Sequence, residues 1–146
     1  MSDLRLRPAT AADAPRIAEL SAVLGYPTDA AALGARLARL LARDGELLLV
    51  AEDDAGRIVG WTYAAERETI ESPARCELLG LVVDASARRR GVAGRLVAAV
   101  ERWAAGRGLD RVVVRSNAAR VESHPFYEAI GYTRVKTQHT YEKRTS

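Results

Sequence analysis

Hydrophobic positions follow two different periods along the first third of the chain. Apolar and charged residues alternate over residues 4–7, which predicts a short strand that stops at Pro8. Apolar residues three and four apart then predict two helices. The first has Thr10 as its N-cap and ends at Gly25, and the second is capped by Thr28. Their apolar stripes consist of Ile17, Leu20, Val23 and Leu24 in the first helix and Leu33, Leu37, Leu40 and Leu41 in the second.

The middle of the chain contains three apolar runs of strand length. Residues 47–53 and 58–66 are separated by a turn sequence at 53–57, so they are predicted to pair as antiparallel strands. Residues 75–84 are apolar on both faces, which is typical of a strand in the centre of a sheet.

The last third of the chain predicts a helix between two strands, followed by a short helix and a strand. The first of these helices ends at the glycines of 106–108 and is indicated by apolar residues at helical spacing, namely Val92, Leu96, Val100 and Trp103. Together with strands 75–84 and 111–116 it predicts a right-handed crossover between parallel strands. A helix over 123–130 and a closing strand over 132–142 complete the order βααβββαβαβ. This order predicts an α/β or α+β fold around a mixed central sheet.

Composition and charge are those of an ordinary globular protein. With 146 residues, of which 48% are hydrophobic and 28% charged, we expect one domain over residues 1–146. The net charge of +3 suits an anionic ligand but is too small to indicate nucleic-acid binding. Cys76 is the only cysteine, so we expect neither an internal disulfide nor a cysteine-based zinc site. The chain lacks a signal-peptide core and an apolar run of about 18 residues, so we expect a cytoplasmic protein.

Residues 88–96, RRRGVAGRL, combine features of an anion-binding site. They lie between a predicted strand and a predicted helix, and the first turn of a helix leaves N–H groups without partners. Gly91, Ala93 and Gly94 keep these groups accessible, and three arginines add positive charge that a polyanionic ligand would offset. The segment has neither the Gly-Lys-Ser/Thr of a P-loop nor G-x-G-x-x-G. Two alternatives stay open: a turn with solvated arginines, and the G-x-x-G loop of a KH-type RNA-binding module.

Two segments resemble the GNAT superfamily of acyl-CoA-dependent N-acetyltransferases. Residues 77–96 resemble its acyl-CoA signature, whose Arg/Gln-x-x-Gly-x-Gly/Ala core is met by Arg88, Gly91 and Ala93. Residues 115–143 resemble the C-terminal half of that family, with an Asn near the end of a strand and Phe-Tyr-Glu followed by Gly-Tyr. The order and length of the elements also agree, so the resemblance covers essentially the whole chain.

The resemblance implies a GNAT-like mixed sheet with helices on both faces and acetyl-CoA as the acyl donor. The fourth and fifth strands of such a sheet are splayed at a bulge, for which Gly80 is the expected position. The Val83 N–H is then expected to bond the pantetheine arm, and the Leu81 N–H to polarise the thioester carbonyl. Asn117 is expected to hydrogen-bond the cofactor, with an ordinary turn asparagine as the alternative. Backbone N–H groups from Arg89 through Gly94 would hold the pyrophosphate. The cofactor-binding residues that the resemblance implies are, in full, Leu81, Val82, Val83, Arg88, Arg89, Arg90, Gly91, Val92, Ala93, Gly94, Asn117 and Tyr127.

Acetyl transfer to an amine needs a base for the amine and an acid for the departing thiolate. Tyr127 matches a family tyrosine near the CoA sulfur, and its pKa of about 10 exceeds the roughly 8.5 of a thiol, so it stays protonated. Packing in the core is the alternative for Tyr127. Glu77 is a carboxylate in an otherwise apolar strand and matches a base that several members use through water. The alternative for Glu77 is an ion pair with Arg75 or Arg115.

We therefore predict an acetyl-CoA-dependent N-acetyltransferase in which a primary amine attacks directly in a ternary complex. A small-molecule amine is the expected acceptor. The alternatives are transfer from a longer acyl-CoA, acetylation of a protein N-terminus or lysine, and a non-catalytic CoA-binding or sensing domain. An acidic run at Glu66, Glu68 and Glu71 either attracts a cationic amine or forms a solvated face. We expect no nucleic acid, membrane or metal partner, and the resemblance leaves a homodimer open.

Overall fold

The computed structural model describes residues 4–23, 25, 27–88, 90–115 and 124–146. The chain divides into two units, residues 1–115 and residues 116–146. In its described part the first unit holds one sheet, in which the strands follow their sequence order. These strands are β1 (Arg5–Pro8), β2 (Glu46–Glu52), β3 (Ile58–Arg67), β4 (Arg75–Val83) and β5 (Val112–Val114). Neighbouring strands are antiparallel except β4 and β5, which are parallel, so the predicted mixed sheet is confirmed.

One face of this sheet is covered by α1 (Ala14–Val23) and α2 (Ala30–Leu41). Of the apolar stripes predicted from helical spacing, Ile17, Leu20 and Leu37 belong to a buried cluster with apolar strand residues of the same face. Val23 and Leu41, at the ends of these helices, are instead exposed. Burying a side chain of this size stabilises the fold by roughly 1.5–3 kcal/mol.

Polar side chains set the start of these two helices. A short 3-10 turn over Ala11–Asp13 precedes α1, and there the Thr10 N–H donates to the Asp13 carboxylate at 2.8 Å, so the predicted N-cap is confirmed. The predicted cap of α2 is one residue wrong. Asp29, not Thr28, accepts the Ala32 N–H at 2.9 Å. A carboxylate caps as well as a hydroxyl and also interacts with the positive end of the helix dipole.

The opposite face is covered by α3 (Val92–Gly106), which connects β4 to β5. Val92 and Leu96 are buried there with Ala51 and Val59. The helix approaches the sheet closely at Gly60, where an added Cβ would lie 3.1 Å from Val92 Cγ1. The helix bounds agree with the predicted end at 106–108, and helices on both faces of the sheet are confirmed.

A β-bulge interrupts β4 near the expected position. Tyr63 opposes Gly80 while Ala64 opposes Leu78, so Leu79 is the extra residue. The Trp61 ring lies on Gly80: a Cβ at this glycine would be 2.6 Å from the ring atom Cζ3. Gly80 therefore provides the space for the indole as well as the bend.

The bulge marks the point where β4 and β5 separate. Their parallel pairing covers only Cys76–Leu78 of β4 and stops opposite Val114. From Gly80 to Val83, β4 pairs with β3 alone among the described residues. The expected splay of the fourth and fifth strands is thus confirmed, and it leaves one edge of β4 without a strand neighbour.

The second unit contains one helix in its described part, α4 (His124–Ala129), with Pro125 in its first turn. Proline is tolerated there because its missing N–H has no helical acceptor to lose. The closing strand predicted over 132–142 is wrong, since the described residues 130–146 take part in no ladder. A lone strand has no stability without a paired neighbour, and Val135 and Tyr141 are 83% and 91% exposed, so no apolar burial supports one.

Candidate active site

The N-terminus of α3 presents unpaired backbone N–H groups. Gly91 has φ +78°, a conformation suited to glycine, and its carbonyl accepts the first intrahelical bond from the Arg95 N–H at 3.1 Å. The N–H groups of Val92, Ala93 and Gly94 precede that bond and have no helical partner. A Cβ added at Gly91 or Gly94 would meet no atom within 4 Å, so these N–H groups open onto free space. An anion fits this arrangement.

The arginines before α3 contribute through their side chains. The Arg88 N–H donates to the Ala85 carbonyl at 3.3 Å, and the Arg88 side chain is exposed. Arg90 is exposed, and Arg89 lies outside the described residues. The Val92 side chain is buried in the core, so it can serve a ligand only through its backbone.

A small cleft adjoins this helix start and is lined by Leu20, Val23, Val82, Val83, Asp84, Ala85 and Arg88. Its one carboxylate is already partnered. The Ser86 hydroxyl donates to Asp84 at 2.7 Å, and Arg16 and Arg57 lie 3.3 and 3.7 Å from the same oxygen. The hydrogen bond from Ser86, followed by the charges of the two arginines, lowers the pKa of Asp84. Asp84 is therefore a carboxylate at neutral pH, held by Ser86 and the two arginines.

The alternating direction of backbone hydrogen bonds along β4 decides which N–H groups face its open edge. The Asp84 N–H donates to the Val59 carbonyl at 2.8 Å, and antiparallel partners alternate between bonded and non-bonded pairs. Val82 is therefore turned toward β3, whereas Leu81 and Val83 direct their N–H groups away from β3, to the edge that β5 leaves free. Val82 contributes to the cleft through its side chain.

Glu77 lies on β4 before the bulge, buried to 7% exposure, and both of its hydrogen bonds go to one oxygen. Arg75 and Arg115 each donate to Oε1, at 2.8 and 3.1 Å. Burial raises the pKa of Glu77, but the hydrogen bonds and charges of Arg115 and Arg75 outweigh burial, and the pKa lies below its usual value. Glu77 is thus a carboxylate at neutral pH, with Oε2 free of partners among the described residues.

A second polar group lies on the same face of the sheet as Glu77. The Tyr63 hydroxyl donates to Glu46 at 3.1 Å, and Arg67 donates to the same carboxylate at 3.3 Å. Glu46 is the first residue of β2 and Arg67 is the last residue of β3. The apolar pattern of these two strands did not indicate either residue as part of a site. Their proximity follows from the register of β2 on β3, where Glu46 opposes Ala65.

Tyr127 belongs to α4 in the second unit. Its ring packs edge-on against Phe126 and Tyr132, at centroid distances of 5.2 and 6.0 Å. Burial raises the pKa of its phenol, so it carries its proton throughout the neutral range. Asn117 lies outside the described residues.

Cys76 is fully buried beside Glu77. Burial, with the Glu77 charge as a second cause, raises the pKa of the thiol to about 11. A thiol that stays protonated at neutral pH is a poor nucleophile. Cys76 is therefore poorly suited to carry an acyl group.

Comparison with protein families decides what this arrangement belongs to. The model of the acetyltransferase (GNAT) family matches residues 15–132. The chain belongs to the GNAT acetyltransferase family. As a GNAT acetyltransferase it is an acyltransferase, and its acyl donor is acetyl-CoA. No curated protein matches the sequence significantly.

Solved structures show the same fold. This GNAT protein is similar to aminoglycoside N-acetyltransferase AAC(6')-Iy in complex with CoA, with TM-score 0.87 and 25% identity over 99% of this chain and 97% of that one. An acetyltransferase from Trypanosoma brucei matches with TM-score 0.77 and 26% identity, over 97% and 100%. AAC(6')-IG from Acinetobacter haemolyticus, at 24% identity and TM-score 0.84 over 97% and 99%, shares the fold. None of the helices in the described part of the chain is long and apolar enough to cross a membrane.

Proposed function

We propose that this protein moves the acetyl group of acetyl-CoA to a primary amine of a small molecule, by direct attack in a ternary complex, and that residues 1–146 act as one acetyltransferase domain. One observation carries the proposal: the open edge of β4 lies between the start of α3 and the strand segment Cys76–Leu78, which pairs with β5 and contains the buried carboxylate Glu77. A donor anchored by its diphosphate at one end of this edge would present its thioester near the other.

The donor contacts follow from the order of groups along that edge. The N–H groups of Arg90 through Gly94, together with that of Arg89, hold the pyrophosphate, and the Arg88 guanidinium adds charge. Val83 bonds the pantetheine arm, Val82 lines its path, and the Leu81 N–H polarises the thioester carbonyl. Asn117 hydrogen-bonds the cofactor farther along. Removing one backbone donor of the oxyanion type typically costs 100- to 1000-fold in rate, which is why the unpaired Leu81 N–H matters.

Protons move at two residues in this proposal. The amine nitrogen forms a bond to the carbonyl carbon, and its proton passes through a water molecule to Glu77 Oε2, the oxygen that the arginines leave free. The carbon–sulfur bond then breaks, and the Tyr127 hydroxyl protonates the departing thiolate. A primary amine has a pKa of about 10.4, so most of it is protonated at neutral pH and needs such an acceptor.

The comparisons support a small-molecule acceptor. One solved structure of AAC(6')-Iy contains a bisubstrate analogue that joins CoA to monomethyl-acetylneamine. That structure matches 97% of the present chain, with TM-score 0.85 and 25% sequence identity. Both halves of such a ligand correspond to the ternary complex proposed here.

The experiment is a transfer assay with two readouts. The protein is incubated with acetyl-CoA and a panel of primary amines, and free thiol is measured beside the mass of each amine. The proposal expects thiol release that depends on the amine and equals the amount of acetylated product. Binding of acetyl-CoA without transfer to any amine would contradict it and favour a sensing domain. Faster transfer from a longer acyl-CoA, or transfer only to peptides, would contradict the donor or the acceptor class.

A further inference from the structure

Arg16 of α1 links three elements at the end of the sheet nearest the start of α3. Its Nε donates to the carbonyl of Ile58, the first residue of β3, at 2.9 Å. Its Nη2 donates to the carboxylate of Asp84, the residue that follows β4, at 3.3 Å. The Arg16 side chain is only 21% exposed, so the elements that it joins enclose most of it. A helix on one face of the sheet is thereby tied to the connection between β4 and α3.

Asp84 begins the turn that leads from β4 toward the anion site. Its N–H donates to the Val59 carbonyl at 2.8 Å and its carbonyl accepts the Ala87 N–H at 2.9 Å, so its backbone belongs to both the sheet and the turn. The Asp84 carboxylate is bonded by the Ser86 hydroxyl from within the turn and by Arg16 from outside it. The turn is therefore cross-linked to α1 through one carboxylate oxygen.

Core packing fixes the other side of this connection. Ala87 and Val92 are buried in the same cluster, on the face of the sheet that α3 covers. Arg88 and Gly91 lie between these two positions in the sequence. The segment that carries them therefore starts and ends at the core, and the bond between Arg16 and Asp84 holds its approach from β4.

The same helix and turn form the two walls of the small cleft beside the anion site. Leu20, one helical turn after Arg16, and Val23 line the cleft from α1. Ala85 and Arg88 line it from the turn. A shift of the turn away from α1 would therefore change the cleft and the direction of the Arg88 guanidinium together.

A second arginine pairs with Asp84 without making such a link. Nη2 of Arg57 lies 3.7 Å from the same carboxylate oxygen, beyond hydrogen-bond distance, and the Arg57 side chain is 59% exposed. The two arginines thus place equal charge beside Asp84, but Arg16 adds hydrogen bonds to two separate elements. Comparison of the two can therefore separate an effect of position from an effect of charge.

We infer that Arg16 is a positioning residue of the donor site, which holds Asp84 and so fixes the turn that presents Arg88 and the N–H groups of α3 to the diphosphate of acetyl-CoA. The inference rests on the proposed function, which places the diphosphate at the start of α3. A loop that is already ordered binds its ligand more tightly, because binding does not have to order it. Arg16 acts through Asp84 and the turn, without a contact to the ligand.

The test measures the Kd of acetyl-CoA by titration calorimetry, at a temperature at which circular dichroism shows each variant to be folded. Arg16→Gln should raise this Kd about tenfold, the effect of losing one hydrogen bond between charged groups. Arg16→Lys keeps the charge but lacks the planar fork that bonds Ile58 and Asp84 together, so it should raise the Kd by a similar factor. Arg57→Gln is the matched charge control and should change the Kd by less than about twofold.

Asp84→Asn distinguishes position from charge by the sign of its effect. The substitution removes a negative charge beside an anion site and weakens the bond that Arg16 donates. If Asp84 acted through its charge alone, its loss would lower the Kd of an anionic ligand. Positioning predicts the opposite, a Kd raised about threefold or more.

The transfer assay supplies a second readout for Arg16→Gln. KM for acetyl-CoA should rise with the Kd, whereas kcat at saturating acetyl-CoA should stay within about twofold of the wild type, because the proposed reacting groups lie near Glu77 and not at the turn. A lower melting temperature with an unchanged Kd and KM would show that Arg16 only stabilises the fold, and would overturn the inference.

The remaining outcomes separate this inference from the proposed function. Equal effects of Arg16→Gln and Arg57→Gln, or a lower Kd in Asp84→Asn, would overturn the inference. Where Arg16→Gln does not fold, Arg16→Lys and Asp84→Asn carry the test. Gly94→Glu, which puts a carboxylate at the start of α3, tests the placement of the diphosphate itself. Wild-type affinity in Gly94→Glu would overturn that placement and the inference with it, whereas lost affinity there beside wild-type affinity in the Arg16 variants would overturn the inference alone.

Discussion

Glu77 accepts two arginine hydrogen bonds on one oxygen and none on the other among the described residues, so Oε2 is the oxygen assigned to the water in the proposed reaction. The cost of this arrangement is a weak base, since the arginines hold the pKa of Glu77 below its usual value. The carboxylate is therefore already ionised at neutral pH, and the amine itself sets how the rate changes with pH.

For the wild-type protein, kcat/KM should rise with pH toward the pKa of the acceptor amine, and no acidic limb should appear above the ordinary glutamate value of 4.5. Glu77→Gln should lower kcat by about 100-fold, because it removes the proton acceptor, and leave the rise due to the amine in place. A pH–rate profile of both proteins measures this. A variant that loses thermal stability but keeps its kcat would show a purely structural role.

In the proposed reaction, Tyr127 would act as the acid through its hydroxyl alone. Tyr127→Phe keeps the ring that packs 5.2 Å from Phe126, so α4 should stay intact. We expect kcat to fall about 100-fold while KM for acetyl-CoA changes by less than about twofold. Tyr132→Phe removes a neighbouring phenol hydroxyl and is the matched control. Equal turnover of Tyr127→Phe and the wild type would remove the acid assignment.

At the scale of elements, the predicted bounds are most accurate where a regular hydrophobic pattern ends at glycine, proline or other turn residues. The runs of β2, β3, β4 and α3 are found within one or two residues of their predicted bounds, because each alternates or repeats against a buried face. Thr28 and Asp29 are both good caps, so periodicity could not choose between them. The predicted strand over 132–142 fails because alternation alone does not supply a neighbour to pair with.

The site residues also fall into two groups, those that local sequence could predict and those that depend on the assembled sheet. Small residues before a helix and arginines beside them are local features, so the anion site at 88–94 could be proposed from the sequence. The direction of the Leu81 and Val83 N–H groups depends on the extra residue Leu79 and on the register with β3. The arginines around Glu77 and Glu46 come from separate strands, so their shared face emerges only once the sheet is assembled.

At the scale of the whole molecule, 22 basic and 19 acidic residues give a net charge of only +3, which says little about a ligand by itself. Its distribution says more. Within the first unit, Arg88 and Arg90 stand at the helix start, and Arg75 and Arg115 stand beside Glu77. The proposed function places the diphosphate of acetyl-CoA at the helix start and the reacting groups near Glu77, and the first of these placements is its foundation.

Gly94 offers the most direct test of that foundation. It is the third residue of α3, and a Cβ there meets no atom within 4 Å. Gly94→Glu should therefore fold, and it should gain about 0.5–1 kcal/mol of unfolding free energy from helix propensity and favourable charge at the helix start. The same carboxylate would occupy the diphosphate position. Gly94→Gln matches it in size and lacks the charge.

The measurement is the rise in melting temperature caused by saturating acetyl-CoA in the wild type and both variants. Ligand at about 100 times its Kd stabilises the folded state by about 2.7 kcal/mol. The account predicts that the rise is lost in Gly94→Glu, although that variant is the more stable without ligand, and that it is largely kept in Gly94→Gln. An undiminished rise in Gly94→Glu would contradict the placement of the diphosphate at α3.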